Sequence, residues 1–206
     1  TDGYVSTVPV RDVEVSSNST VVTYIFSKAT IMEDDLFEDS YWWKVEGFGI
    51  EDVPSRPSVL NRIDRFVIPK GKNASVEVVE TSYKDYNYSL APARQPLADD
   101  GDEIYTKQNV QPIDLSIGVY PMSIVEEYGM QSYRGENILS VKVSPIQYDA
   151  VLQKVRAYTK IKYKITYSNN TNVTSSTDDI YPNISPTDNY LRNTALNVNS
   201  QSSADT

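Results

Sequence analysis

The stretch KIKYKITY, Lys160 to Tyr167, decides the fold because its alternation never breaks. Ile161, Tyr163, Ile165 and Tyr167 fall on one side of an extended chain, and Lys160, Lys162, Lys164 and Thr166 fall on the other. One face is packed and the other wet, which is how an antiparallel strand with a single core side reads.

Working outward, the same period of two recurs in TVVTYIFSKATI (20–31), DRFVIPKG (64–71), SVEVVETSY (75–83) and NILSVKVSPI (137–146). In SVEVVET, Val76 and Val78 are expected on one side and Glu77 and Val79 on the other. PKGKN (69–73) reads as a tight turn. The pattern predicts an all-β, antiparallel, jelly-roll-like β-sandwich over 1–167. A polar linker is expected over 168–179, SNNTNVTSSTDD, which has nothing to bury. Beyond it, 180–206 is expected to be helical or extended, with PTDNYLRNTALN opening a short helix capped by Thr187 or Asp188. Trp42 and Trp43, beside Tyr41, could form a platform for sugar stacking, but neighbours on a strand face opposite ways, so one Trp is expected in the core and the place of the other stays open.

Composition narrows the function classes. The chain has 206 residues, 16 tyrosines against 4 phenylalanines, and a formal charge of −9. That balance disfavours nucleic acid and anionic membranes, whose phosphates call for lysine and arginine clusters. No window is apolar enough for a membrane span. The sequence contains neither Cys nor His, which removes thiol chemistry and the common imidazole-based triads. Carboxylates cluster at Glu33, Asp34, Asp35, Glu38 and Asp39 and again at Asp99, Asp100, Asp102 and Glu103. A carboxylate pair of the glycosidase kind depends on spatial separation and cannot be read from spacing. DDGDE (99–103) has hard oxygen ligands and a glycine turn but lacks the distal bidentate Glu of a calcium loop, so a solvated acidic loop with no cofactor is expected, with calcium as the alternative.

Residues 91–112, APARQPLADDGDEIYTKQNVQP, are too long and polar for an ordinary hairpin connection, and a loop of that length in a compact domain is usually functional. The stretch SYRGENILSVKVSPIQYDAVLQKVRAYTKIKYKI (132–165) is the most individual part of the chain. An Arg-Gly pair at Arg134 and Gly135, a strand, a turn with Pro145, Gln147 and Tyr148, and a strand with Val155, Arg156 and Tyr158 follow one another.

In this order the stretch resembles the N-terminal propeptide of the gingipain-type cysteine peptidases. Upstream, RPSVLNRIDRFVIPKGKNASVEVVET and then YSLAPARQ, with Ala91 and Pro92, extend the likeness; downstream, DNYLRNTALN is similar to the segment leading into the catalytic domain. The resemblance spans roughly residues 50–195. Asp149-Ala150 stands where the family usually has Asn-Pro, and DVPSRPSVL only partly echoes the family pattern. No caspase-like catalytic domain is in the sequence.

The resemblance implies a secreted or cell-surface propeptide of a Gram-negative bacterium, passing the periplasm and outer membrane, that inhibits a cysteine peptidase and assists its folding. Its partner would be that peptidase's catalytic domain, with no nucleic acid, and the chain would not itself be an enzyme. It further implies that the 91–107 loop enters the active-site cleft. By position the blocking residue falls on Asp99 or Asp100, with Arg94 as the basic alternative and Asp102 and Glu103 in the same loop. Arg134, Gly135, Pro145, Gln147 and Tyr148 are expected to shape corners between strands, with Tyr148 bonding its own turn through its hydroxyl. A non-catalytic carbohydrate- or surface-binding β-sandwich is the alternative function.

Overall fold

The computed structural model describes residues 8–51, 53–94, 110–133, 136–169 and 194–199. Along the chain they form β1 (Val10–Val15), β2 (Ser19–Ile25), β3 (Thr30–Glu33), β4 (Ser40–Lys44), β5 (Gly49–Ile50), β6 (Leu60–Ile68) and β7 (Lys72–Tyr86). There follow β8 (Ser89–Leu90), β9 (Val119–Tyr120), β10 (Val125–Tyr133), β11 (Glu136–Val143), β12 (Ile146–Asp149), β13 (Lys154–Asn169) and one helical turn, α1 (Leu196–Asn199). No helix among the described residues is long and apolar enough to cross a membrane.

The decisive stretch lies in β13, the spine of the larger sheet. One edge of β13 pairs with β2 and β12, and the other pairs with β7 from Val155↔Tyr86 to Asn169↔Lys72. β1 extends this sheet beyond β2, and β9 extends it beyond β12. The second sheet runs β10–β11–β6–β5, and a small third sheet runs β3–β4–β8, with β4 and β8 parallel. The result is an all-β sandwich.

Its core lies where the two large sheets face each other. Ile161, Tyr163 and Ile165 of β13 are fully buried with Val22 and Tyr24 of β2, against Phe66, Leu139, Val141 and Val143 of the second sheet. The rings of Phe66 and Tyr163 meet edge to face at 6.3 Å. Each such side chain contributes about 1.5–3 kcal/mol of transfer free energy, so the apolar face of KIKYKITY alone commits this strand to the interior. The PKGKN turn forms as expected: Lys72 N–H donates to Pro69 C=O at 3.0 Å, and Gly71 takes φ 74°, a conformation glycine adopts without penalty.

Two local expectations change. β7 buries little: Val76 is half-buried, but Val78 and Val79 are 42% and 53% exposed. The β7–β13 register slips so that Glu80 pairs with Lys162 and Val78 with Tyr163, leaving Val79 opposite no residue, and a bulge of this kind breaks the alternation. β13 continues two residues past Tyr167, because Ser168 and Asn169 still pair with Asn73 and Lys72, and Lys72 Nζ donates to Asn169 Oδ1 at 2.6 Å. Ordered helix appears at Leu196–Asn199; the expected caps Thr187 and Asp188 lie outside the described residues.

α1 closes a seam of the sandwich. Ala195 is fully buried, and Asn197 both accepts from Val67 N–H at 2.9 Å and donates to Val67 C=O at 2.6 Å, as a neighbouring strand would. A second buried polar feature sits between the large sheets. Asp64 Oδ2 accepts from Tyr24 at 2.7 Å and from Tyr163 at 2.8 Å, and Oδ1 accepts from Arg62 Nε at 3.1 Å. Burial, and after it the Asp64 charge, push both hydroxyls above the ordinary tyrosine range, so they remain donors.

Candidate functional site

The two described ends of the stretch 91–112 meet at one place on the body, and both are held there by backbone. β8 lies parallel to β4, with Ser40 opposite Ser89 and Tyr41 opposite Leu90. The chain then continues buried through Ala91, Pro92 and Ala93. Ala91 N–H donates to Tyr41 C=O at 3.0 Å, Ser58 N–H to Ala91 C=O at 2.9 Å, and Ala93 N–H to Arg56 C=O at 2.8 Å. Pro57 and Pro92 form an antiparallel bridge between these segments. On the returning side, Val110 is 4% exposed and Asp114 N–H donates to Ser55 C=O at 3.0 Å. Asp114 then caps a short turn, Leu115–Ile117, by accepting from Ser116 N–H at 2.9 Å.

At the outgoing root, Arg94 is engaged by the domain itself. Its Nη2 donates to Asp34 at 2.7 Å and to Asp35 at 2.6 Å, and its guanidinium lies 4.9 Å from the centre of the Trp42 ring. Asp34 has a fully buried side chain; Oδ2 accepts from Arg94 and also from Trp42 Nε1, while Oδ1 accepts from Leu36 and Phe37 N–H at 2.8 Å each. The hydrogen bond from Arg94 holds the exposed Asp35 carboxyl below the usual carboxylate range. Trp43, on the opposite side of β4, is 4% exposed in the core. Asp34 is therefore the hub of a turn and an arginine platform, while Arg94 is anchored to the wall.

Asp99, Asp100, Asp102 and Glu103 lie outside the described residues, as do Arg134 and Gly135, which follow and precede the paired residues Tyr133 and Glu136. Pro145 falls between β11 and β12, and its carbonyl accepts from Tyr158 N–H at 2.8 Å. Gln147 donates to Pro121 C=O at 2.9 Å and accepts from the Tyr158 hydroxyl at 2.6 Å, tying β12 to β13 and to the chain after β9. Tyr148 is buried as expected. Its hydroxyl, raised by burial and partly offset by hydrogen bonds, meets Ser89 and the Leu90 backbone, in β8 instead of in its own turn. The reason is the strand's placement: the ring of Tyr148 points across to the segment that feeds the loop. Arg156 pairs through Nε and Nη2 with Asp85 at 2.8 and 3.1 Å, and its guanidinium lies 4.0 Å from the Tyr83 ring centre.

Sequence reasoning missed Ser55 and Arg56, which sit between the roots. The signal available was PSRP (54–57), two prolines flanking Ser55 and Arg56, which marks a turn. Among the described residues no group of three or more Asp or Glu is placed to hold a metal ion.

Comparisons with known proteins cover most of the chain, this part included. A family model described as Propeptide_C25 matches residues 49–189. The fold is similar to the solved complex of Porphyromonas gingivalis RgpB pro- and mature domains, with a TM-score of 0.71 and 11% identity over 92% of this chain and 97% of that one. It is also similar to a structure addressing zymogenic latency of gingipain K from Porphyromonas gingivalis, with a TM-score of 0.60 and 15% identity over 81% of this chain and 96% of that one. No curated protein matches.

Proposed function

This chain belongs to the propeptide family of the C25, gingipain-type peptidases, and from that premise we propose that it inhibits its peptidase and assists that peptidase's folding. The chain does this without chemistry of its own, having neither Cys nor His. The 91–107 loop blocks the cleft like a substrate. The observation that carries this reading is the family match over 49–189 combined with the buried, backbone-bonded root at Leu90–Ala93, a rigid base on the body for a long loop.

Within that loop, Arg94 serves as the anchor, and Asp99 or Asp100 is presented to the specificity pocket. The reason is energetic. Drawing Arg94 into a pocket would strip the buried Asp34 carboxylate of its cation, and an uncompensated buried charge is strongly destabilising. An acidic blocking residue requires a cationic pocket, and the charge of −9 adds attraction to such a partner that fades with salt. The partner is the peptidase's catalytic domain, contacted over about 800 Å² per side. Export to the cell surface or medium of a Gram-negative bacterium follows from the family's peptidases being secreted.

Titration of the cognate catalytic domain tests this. Asp99→Ala with Asp100→Ala should weaken inhibition by about 2–4 kcal/mol while Arg94→Ala acts mainly through stability. Equal inhibition by wild type and the double variant would remove the acids from the pocket. No inhibition by wild type would reject the prodomain reading, and glycan binding would then favour the surface-binding alternative.

A further inference from the structure

We propose that the turn Val53–Arg56 is a clasp that sets inhibitory potency: it holds both roots of the loop on two consecutive carbonyls and so keeps Ala93 and Asp114 side by side. This inference rests on the prodomain reading above and names the residues that position its inhibitory element.

The geometry is specific. Ala93, on the outgoing root, donates to Arg56 C=O at 2.8 Å, and Asp114, on the returning root, donates to Ser55 C=O at 3.0 Å. Because the two acceptors are successive carbonyls, the roots are held side by side across the single residue Arg56. Ser55 takes φ 59°, a left-handed conformation that costs a non-glycine residue free energy and persists only where its surroundings impose it. Several contacts impose it. Arg56 N–H closes the turn on Val53 C=O at 3.2 Å, and Pro57 bridges to Pro92. The Arg56 guanidinium lies 5.3 Å from the centre of the Tyr120 ring, and the Tyr120 hydroxyl donates to Glu51 at 2.7 Å.

A peptide inserted in a protease cleft must be ordered before it inhibits. Roots joined in the folded domain settle part of that entropy during folding, which leaves more of the contact energy for binding. The clasp also separates an inhibitor from a substrate. Hydrolysis adds water across one peptide bond, with hydroxide going to the carbonyl carbon and a proton to the amine nitrogen. With both roots held, the new ends stay beside each other and leave slowly; with one root loose, they diffuse apart and the enzyme turns over.

Asp114 offers a clean perturbation. Its φ of −73° suits proline, so Asp114→Pro removes the N–H that reaches Ser55 without changing φ, and its ring Cδ, standing where the hydrogen was, pushes the Ser55 carbonyl away. Asp114→Ala keeps that N–H, and both variants lose the cap on Ser116, so the difference between them isolates the clasp. Each variant of this chain is titrated against the catalytic domain of its own C25 peptidase, with cleavage between 95 and 109 followed by mass spectrometry and folding checked by thermal melting. Asp114→Pro should inhibit about 10-fold more weakly than Asp114→Ala and be cut about 10-fold faster when both are assayed well below their melting temperatures. Ser55→Gly, which accepts the positive φ, should match wild type, whereas the β-branched Ser55→Val should behave like Asp114→Pro.

Equal inhibition and equal cleavage across the Asp114 pair overturn the clasp while leaving the prodomain reading intact. If Asp114→Pro fails to fold, the Ser55 pair decides by the same readouts, and equality there also overturns it. A wild-type chain that does not inhibit rejects the prodomain reading and the clasp together.

Discussion

Replacing Asp64 by Asn should destabilise the sandwich by about 3–5 kcal/mol, because it unbalances a buried carboxylate at which three donors converge. The Asp64 side chain is 1% exposed, so water cannot replace what is lost. Its Oδ2 accepts from two hydroxyls, Tyr24 at 2.7 Å and Tyr163 at 2.8 Å, while Oδ1 accepts from Arg62 at 3.1 Å with Arg11 a further 3.7 Å away. An amide can accept on one side only, and its NH₂ group must then face either the tyrosine hydroxyls or the guanidinium. Losing two hydrogen bonds to a charged acceptor, at about 1.5–3 kcal/mol each, gives the stated range after some relief from removing a buried charge. Urea unfolding of the purified domain measures the change. The same mechanism makes the cost non-additive: once Asp64 is Asn, further changes Tyr24→Phe and Tyr163→Phe should each cost at least about 1 kcal/mol less than they do in wild type. A loss below about 1 kcal/mol for Asp64→Asn, or strict additivity in the cycle, would refute the network.

Alkaline pH should unfold the domain cooperatively. Burial raises the Tyr24, Tyr148, Tyr163 and Tyr167 hydroxyls above the ordinary value of 10.0, so their contribution is complete below pH 10 and falls as pH climbs toward their folded values. Tyrosinate absorbance and circular dichroism should move together; hydroxyls that titrate while the fold stays intact would contradict this. Asn197→Ala removes both bonds to Val67 and should cost about 1–2 kcal/mol, with faster hydrogen exchange at the Val67 amide as the local signature. Arg94→Ala leaves the buried Asp34 without its cation and should cost about 2–4 kcal/mol in thermal unfolding, with a changed Trp42 fluorescence.

The sandwich was legible wherever one strand declared its own two faces. β13 did so through Ile161, Tyr163, Ile165 and Tyr167, and Trp43 fell inside with Trp42 on the opposite side of its strand. Asp64 was not legible, because a charged residue in a strand reads as solvent-facing and its justification lies in Tyr24 and Tyr163, 40 and 99 residues away. β7 misled because Val76 and Val78 do share a face, opposite the buried Ile165 and Tyr163, but an edge position leaves Val78 little to pack against, and the bulge at Val79 ends the alternation there. At the loop, the sequence located a long insertion after Ala91-Pro92, but not what holds it. The holding groups are backbone amides and carbonyls, invisible to residue type, and a serine carries no advance sign that it will adopt φ 59°. The parallel pairing of β4 with the two-residue β8 was likewise beyond pattern reading, since so short a segment has no period.

The seam closed by α1 has a mechanical side. A pull applied beyond Asn199 is borne first by the two Asn197–Val67 hydrogen bonds and the buried Ala195, not by the sixteen-residue ladder of β13. Those few contacts form the weak link of a fuse. The terminal turn can peel away under load, wetting the Tyr167 hydroxyl that bonds Thr20 at 2.8 Å, while the two large sheets keep their registers.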